Sequence, residues 1–247
     1  MEVLYERCCG IDVHKRIVVA CLKCGKKQEL REFGTTTEEL RSLTEWLSNN
    51  NCQMIAMEST GSYWKPLYNI LESSDLNAMV VNARHMKAVP GRKTDVKDAE
   101  WIADLLQHGL LQASYIPNRE QRELRELSRY RKSLIEERAR ELNRLQKMLE
   151  GGNIKLASVV SDINGRSARN LLTHMLKHDT TLTKEEISAM VHGRLRNKIE
   201  AIMKALDGFL TPLQKRLMLK VVDHIDDMTK RIGEMDEMMN QYLTEYH

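Results

Sequence analysis

Short apolar runs of strand length punctuate the first 115 residues of the chain. The runs at residues 8–14 and 17–22 are separated by two basic residues, which predicts a hairpin, and residues 28–33 fit a third strand. Two compact apolar runs follow, at residues 54–57 and Ala78–Val81, and they predict buried strands. The pattern therefore predicts a sheet of five short strands.

Helical periodicity lies between and after these strands. Thr36 and Glu39 have the spacing of a capping box, ahead of a helix with apolar positions at Leu40, Leu43, Trp46 and Leu47. Further helices are expected over residues 63–72 and 95–107. Three strands in a meander, followed by alternating helices and strands, predict a mixed α/β sheet rather than a purely parallel one.

From Pro117 onward the pattern is helical. Residues 118–150 form one long charged helix whose leucine seam is interrupted by Arg131 and Arg138, and shorter helices follow over residues 154–210. Pro212 begins a last long helix with apolar residues at alternating steps of four and three, which suits a seam between helices. We therefore expect two domains: residues 1–115, and a helical coiled-coil or oligomerisation region at residues 116–247.

Composition adds little about partners but constrains the class of protein. The 247 residues are 42% hydrophobic and 30% charged with a net charge of +3, as in a globular protein without a global attraction for nucleic acid. The amino terminus lacks the order of a signal peptide, and no apolar run approaches the roughly 20 residues of a membrane span. We expect a cytoplasmic protein.

All five cysteines lie in the first 52 residues. Cys21 and Cys24 have the two-residue gap of a zinc knuckle, but no second cysteine or histidine pair follows them. Strand cysteines that stay reduced in the cytosol are the favoured interpretation.

Acidic residues supply the candidate chemistry. Asp95 and Asp98 are three residues apart and share one face of a helix, where an acidic first turn is the ordinary explanation. Asp12 in the first strand and Glu58 at the end of a central strand add two more carboxylates. An RNase H-like fold gathers such acids around two divalent ions that act on a phosphodiester, and Mg²⁺ suits an all-oxygen site.

Three segments carry a family resemblance. Residues 12–15 (Asp-Val-His-Lys), 58–64 (Glu-Ser-Thr-Gly-Ser-Tyr-Trp) and 93–99 (Lys-Thr-Asp-Val-Lys-Asp-Ala) resemble the signatures of the DEDD transposases, the recombinases of insertion sequences. The resemblance implies an RNase H-like, RuvC-like domain and a metal-binding catalytic tetrad. By position, that tetrad is Asp12, Glu58, Asp95 and Asp98, with Mg²⁺ or a substituting Mn²⁺ as cofactor.

The resemblance also implies partners. Members of this family act on target and donor DNA as oligomers joined through long helices, guided by a structured noncoding RNA. Their pattern continues into a further domain that carries a serine, which attacks DNA. This sequence ends at His247, about where that domain is expected, so we interpret it as a natural truncation or a fragment and assign no serine.

Basic residues near the acids are candidates for nucleic-acid contact. Arg84, Lys87, Arg92, Lys93 and Lys97 surround Asp95, and Lys15 follows the first strand. Solvated loops are the alternative, but phosphate contact is favoured because these charges border the proposed cleavage site. His14 is interpreted as a structural histidine at a strand end.

The helix at residues 118–150 has ten basic and seven acidic residues, a mixture that is usually a solvated face. An RNA-contacting stripe is the alternative reading, and it would include Arg125, Arg129, Arg131, Lys132 and Arg138.

Two other functions compete with a transposase. An actin-like or sugar-kinase ATPase also begins with a Gly-Ile-Asp strand, but it needs a later Asp-x-Gly strand and a glycine-rich adenosine loop, and neither pattern occurs. A truncated relative that binds RNA or DNA, or only assembles, without recombination is the third reading. Metal binding without strand transfer would distinguish it.

Overall fold

The computed structural model describes residues 2–59, 61–82, 98–178 and 180–245. The chain divides into two compact units, Met1–Pro117 and Asn118–His247. The first is called the sheet unit below and the second the helical unit. Within the described residues, no helix is both long and apolar enough to cross a membrane.

In the described part of the sheet unit, five strands form one sheet. They are β1 (Arg7–Val13), β2 (Ile17–Cys24), β3 (Lys27–Gly34), β4 (Met54–Glu58) and β5 (Ala78–Val81). The strand order is β3-β2-β1-β4-β5; β1 to β3 are antiparallel neighbours, and β4 and β5 run parallel to β1. This mixed order is that of an RNase H-like fold, which confirms the predicted fold class.

Three described helices cover the sheet: α1 (Thr37–Asn49), α2 (Trp64–Ser73) and α3 (Asp98–Gln107). The predicted cap of α1 is present, because the Thr36 side chain accepts a hydrogen bond from the backbone N–H of Glu39. Successive strand residues point to opposite faces of the sheet. On one face, Ile11, Ile55 and Met57 pack in a cluster with leucines of α1 and α2. On the other, Cys8 and Ala56 pack against Ile102 and Leu106 of α3.

The helical unit contains two long helices, α4 (Arg119–Gly151) and α9 (Pro212–Glu245). Between them lie α5 (Leu156–Val159), α6 (Arg166–Lys177), α7 (Lys184–Met190), a 3₁₀ turn (Gly193–Lys198) and α8 (Ile199–Leu206). The sequence Thr183-x-x-Glu186 has the spacing of a capping box, and in the structure the box of α7 is formed in both directions between these two residues. Leucines at the end of α4 pack in one apolar core with residues of the short helices and of α9.

Polar contacts set the register of α4 against α9. Arg131 of α4 binds both carboxylate oxygens of Asp236, at 2.5 and 3.3 Å, and the Tyr242 hydroxyl lies 2.6 Å from a Glu123 oxygen. Arg138 lies 3.3 Å from the Thr229 hydroxyl. The partner number on α9 falls as that on α4 rises, so the helices are antiparallel. Arg131 and Arg138 therefore lie on the side of α4 that faces α9, apart from Arg125, Arg129 and Lys132, the other members of the alternative RNA-contacting stripe.

Candidate active site

The sheet brings Asp12 and Glu58 to neighbouring positions. Ile11 and Met57 are register partners in the parallel pair β1–β4, so the next residue of each strand lies at the same carboxyl-terminal edge. Helix α3 covers the face of the sheet that carries Gly10 of β1 and Ala56 of β4. Asp12 and Glu58 follow these two residues by two positions, so they lie on the same face. Two of the four predicted acids therefore share one end and one face of the sheet.

Helix α3 brings Asp98 to that same end. Its last residue, Gln107, accepts hydrogen bonds from the backbone N–H groups of Leu4 and Tyr5, at 2.8 and 3.3 Å, ahead of β1. Its first turns lie against Gly10, farther along the strand. The helix thus runs opposite to β1, and Asp98, its first described residue, lies toward the carboxyl end of β1, where Asp12 is found.

Gly10 permits this close approach of helix and sheet. A Cβ atom at Gly10 would collide with the backbone nitrogen of Ala103 and the backbone oxygen of Ala99. Ala99 and Ala103 are fully buried, so small side chains on α3 meet a residue without a side chain on β1. Sequence reasoning missed this role, although a glycine inside a strand signals a close backbone approach.

His14 contacts the first acid directly. Its Nε2 lies 2.8 Å from Oδ2 of Asp12, whose side chain is only 13% exposed while that of His14 is 57% exposed. The His14 backbone N–H donates to the Ile17 carbonyl at 2.9 Å, which closes the β1–β2 hairpin and holds the backbone of His14 beside Asp12. His14 therefore holds the Asp12 carboxylate in one orientation. The sequence signal for this contact was the spacing of two residues between Asp12 and His14, which favours side chains on the same side of a strand.

The remaining predicted site residues fall into two groups. Lys15 is exposed in the hairpin, and its carbonyl accepts a hydrogen bond from the Thr35 hydroxyl at 3.2 Å. The others lie outside the described residues: Asp95, Arg84, Lys87, Arg92, Lys93 and Lys97. Among the residues the structure does describe, no group of three or more His, Cys, Asp or Glu side chains is close enough to hold a metal ion. The three described acids share a sheet end without forming a closed ligand cluster.

The cysteines are placed for packing rather than chemistry. Cys21 packs with the alanines of α3 and Cys24 packs against the cluster on the opposite face, so their sulfur atoms cannot bind one ion together. Burial raises the pKa of the Cys8 thiol to about 11 and that of Cys52 to about 12. All five cysteines are free of disulfides. Thiols with such pKa values remain protonated near neutral pH and are poor nucleophiles.

Comparison with known proteins gives a family match and similarities to solved structures. A family model of the DEDD type, IS110 class, described as a transposase, matches residues 9–154. No curated protein matches the chain. Among solved structures, T. thermophilus RuvC in complex with a Holliday junction substrate aligns at 10% identity and a TM-score of 0.32, over 44% of this chain and 99% of its own. The family match confirms the resemblance found in the three sequence segments.

Proposed function

Because this chain belongs to the DEDD transposase family, we propose that it is the transposase of an insertion sequence, or the catalytic and helical part of one. Its reaction is metal-dependent cleavage and exchange of DNA strands. One observation carries this proposal: Asp12 and Glu58 end adjacent parallel strands on the face that α3 covers, and α3 begins with Asp98 at that same end.

The donor chemistry of these residues fits a hard divalent cation. Asp12, Glu58 and Asp98 offer only carboxylate oxygens, which Mg²⁺ prefers, and Mn²⁺ accepts the same ligands. We assign these three, with Asp95 as the fourth member, as the residues that would hold the cation. When bound, such ions activate the attacking oxygen and stabilise the leaving oxygen of a phosphodiester.

The chain's own groups prepare this site. The β1–β4 pairing fixes the spacing of Asp12 and Glu58, and the Gly10 contact fixes α3. His14 binds one oxygen of Asp12 and orients the carboxylate. We assign phosphate contact to Lys15, which is exposed three residues beyond Asp12, and to the basic residues at positions 84–97 named above.

The family also leads us to propose a structured noncoding RNA as guide. In this proposal, base pairing of the RNA selects target and donor DNA, and the protein supplies the strand chemistry. We further propose that the long helices join copies of the chain in an oligomer. RNA that copurifies with the chain, expressed together with its flanking genomic DNA, is expected to be enriched in one structured species.

Cation affinity tests the proposed site. Asp12→Asn and Asp98→Asn each remove one charged ligand and are expected to lower Mn²⁺ and Mg²⁺ affinity at least tenfold in calorimetric titration. Asp75→Asn is the matched control, because Asp75 precedes β5 at the opposite end of the sheet and its positive φ suits asparagine. Far-UV circular dichroism should be the same for all variants. Wild-type affinity in both site variants would refute the assignment.

A further inference from the structure

The solvent side of α4 carries a row of basic residues. Arg125, Arg129, Lys132, Arg140, Arg144 and Lys147 follow one another at steps of four, three, eight, four and three, which fall on one side of an α-helix. All six are exposed. We call them the basic ridge.

The packing of α4 explains why this side stays open. Leu134, Leu145 and Leu149 are buried on the opposite side, with Leu145 and Leu149 in the core of the helical unit. The arginines that contact α9, Arg131 and Arg138, leave the helix between those leucines and are not part of the ridge. The fold thus separates the arginines of α4 into a set that pairs within the unit and a set that faces solvent.

Most charges of the basic ridge are uncompensated. Lys132 has a loose pair with Glu136 at 3.8 Å, and Arg144 pairs with Glu141 on the flank at 3.2 Å. Among the described residues, Arg125, Arg129, Arg140 and Lys147 have no ion-pair partner. Glu126 and Glu136 are the acids on this side, so the ridge keeps a clear positive excess.

The dimensions of the ridge match a nucleic-acid duplex. Arg125 and Lys147 are separated by about 33 Å at the rise of an α-helix. One turn of B-DNA has nearly the same length, roughly 34–36 Å, and presents a phosphate for about every 1.7 Å of axis. The six residues are all cations without an aromatic member, so the ridge suits duplex phosphates rather than stacked single-stranded bases.

From this exposure, charge and length, we propose that the basic ridge binds the phosphate backbone of double-stranded DNA. The choice of DNA rests on the proposed function, which requires a DNA substrate. Contacts of this kind position the duplex without reading its sequence. They also release counterions, so binding through the ridge depends steeply on salt.

Duplex binding by the full chain tests the ridge. The probe is a labelled DNA duplex of arbitrary sequence and about 30 base pairs, roughly three helical turns, measured by fluorescence anisotropy without divalent cations over a range of salt. The ridge variant combines Arg129→Gln, Arg140→Gln and Lys147→Gln. The matched control, Lys220→Gln with Lys230→Gln and Arg231→Gln, removes the same charge from exposed positions of α9.

We expect the ridge variant to bind the DNA duplex at least tenfold more weakly at low salt. Its slope of log K against log salt should fall by about two to three, close to one for each lost phosphate contact. The control triple should keep nearly the wild-type slope. A conservative ridge variant, Arg129→Lys with Arg140→Lys, should retain binding because it preserves the charge.

Two results would overturn the proposal. Equal losses in the ridge and control triples would mean that only net charge matters. A loss confined to an RNA duplex of the same sequence would assign the ridge to RNA instead. The outcome is separable from that of the proposed active site, because Asp12→Asn and Asp98→Asn should keep full duplex affinity without metal. If the basic ridge binds DNA but the acids bind no cation, only the proposed active site is refuted. If the acids bind a cation but the ridge does not bind DNA, only the proposal for the ridge is refuted.

Discussion

The sheet unit and the helical unit use their polar side chains differently. In the sheet unit, the strands and covering helices are apolar inside, and Asp12, Glu58 and Asp98 come to one end of the sheet. In the helical unit, polar residues join the two long helices along their length, as Arg131 does with Asp236. The first arrangement concentrates like charges at one place, whereas the second distributes opposite charges in pairs.

This difference follows from the two secondary structures. The carboxyl ends of neighbouring parallel strands lie at the same edge of a sheet, so acids in register there become neighbours whatever their separation in sequence. Like charges gathered in this way repel and favour a bound cation, which makes them candidates for function. Charges along antiparallel helices meet partners on the neighbouring helix, where they fix register and contribute little to stability individually.

The largest expected effect comes from replacing one glycine by alanine in each unit. Gly10→Ala should lower the free energy of unfolding by about 1–3 kcal/mol or more, because the new methyl group meets the backbone of α3. Gly233→Ala, in open space on α9, should raise it by about 1 kcal/mol through helix propensity. Urea unfolding of each variant gives the two values.

Tryptophan fluorescence identifies the unit that responds, because Trp46, Trp64 and Trp101 all belong to the sheet unit. Gly10→Ala should shift the tryptophan transition to lower urea. An unchanged transition would show that α3 does not approach the backbone of β1 closely at Gly10.

A second, smaller effect concerns His14. His14→Ala removes the ring that orients Asp12, and loss of such an outer contact typically weakens metal binding about 10- to 100-fold. We expect a tenfold lower Mn²⁺ affinity by calorimetry, with an unchanged urea transition. His108→Ala is the matched control, since His108 lies just beyond the other end of α3, where its ring contacts the Asp104 carbonyl at 2.9 Å. Equal affinities in the two variants would leave His14 with a purely structural role.

The smallest effect tests the helical unit alone. Thr183→Ala removes the cap of α7 and should cost about 1 kcal/mol of unfolding free energy at neutral pH. Ser188→Ala, at an exposed position inside α7, is the control and should be nearly neutral. Far-UV circular dichroism in urea gives both values, and equal stabilities would contradict the capping contribution.

The same cap predicts a pH dependence. Hydrogen bonds from Thr183 lower the pKa of Glu186 below its ordinary value of 4.5. A lowered carboxyl pKa stabilises the folded state fully above that ordinary value, and the contribution disappears as pH falls through the folded-state value. The stability difference between wild type and Glu186→Ala, which lacks this carboxyl group, should therefore shrink below about pH 4. A difference that stays constant through this range would contradict the role of Glu186.

Most of the fold was predictable because its signals are local. The short apolar runs of β1, β2, β4 and β5 and the caps at Thr36 and Thr183 each specify an element within a few residues of sequence. The roles of Arg131 and Arg138 were harder to predict, because no residue near them in sequence explains a polar side chain in an apolar seam. Their partners, Asp236 and Thr229, lie roughly a hundred residues away.

The sequence by itself determined the elements, the family and the identity of the candidate acids, because motif spacing and hydrophobic period are properties of short segments. The tertiary structure decided which of these residues meet. The parallel β1–β4 register put Asp12 beside Glu58, and Gly10 admitted α3 with Asp98. Packing against α9 likewise decided which arginines of α4 face solvent. Each of these depends on contacts between segments distant in sequence, which no local pattern specifies.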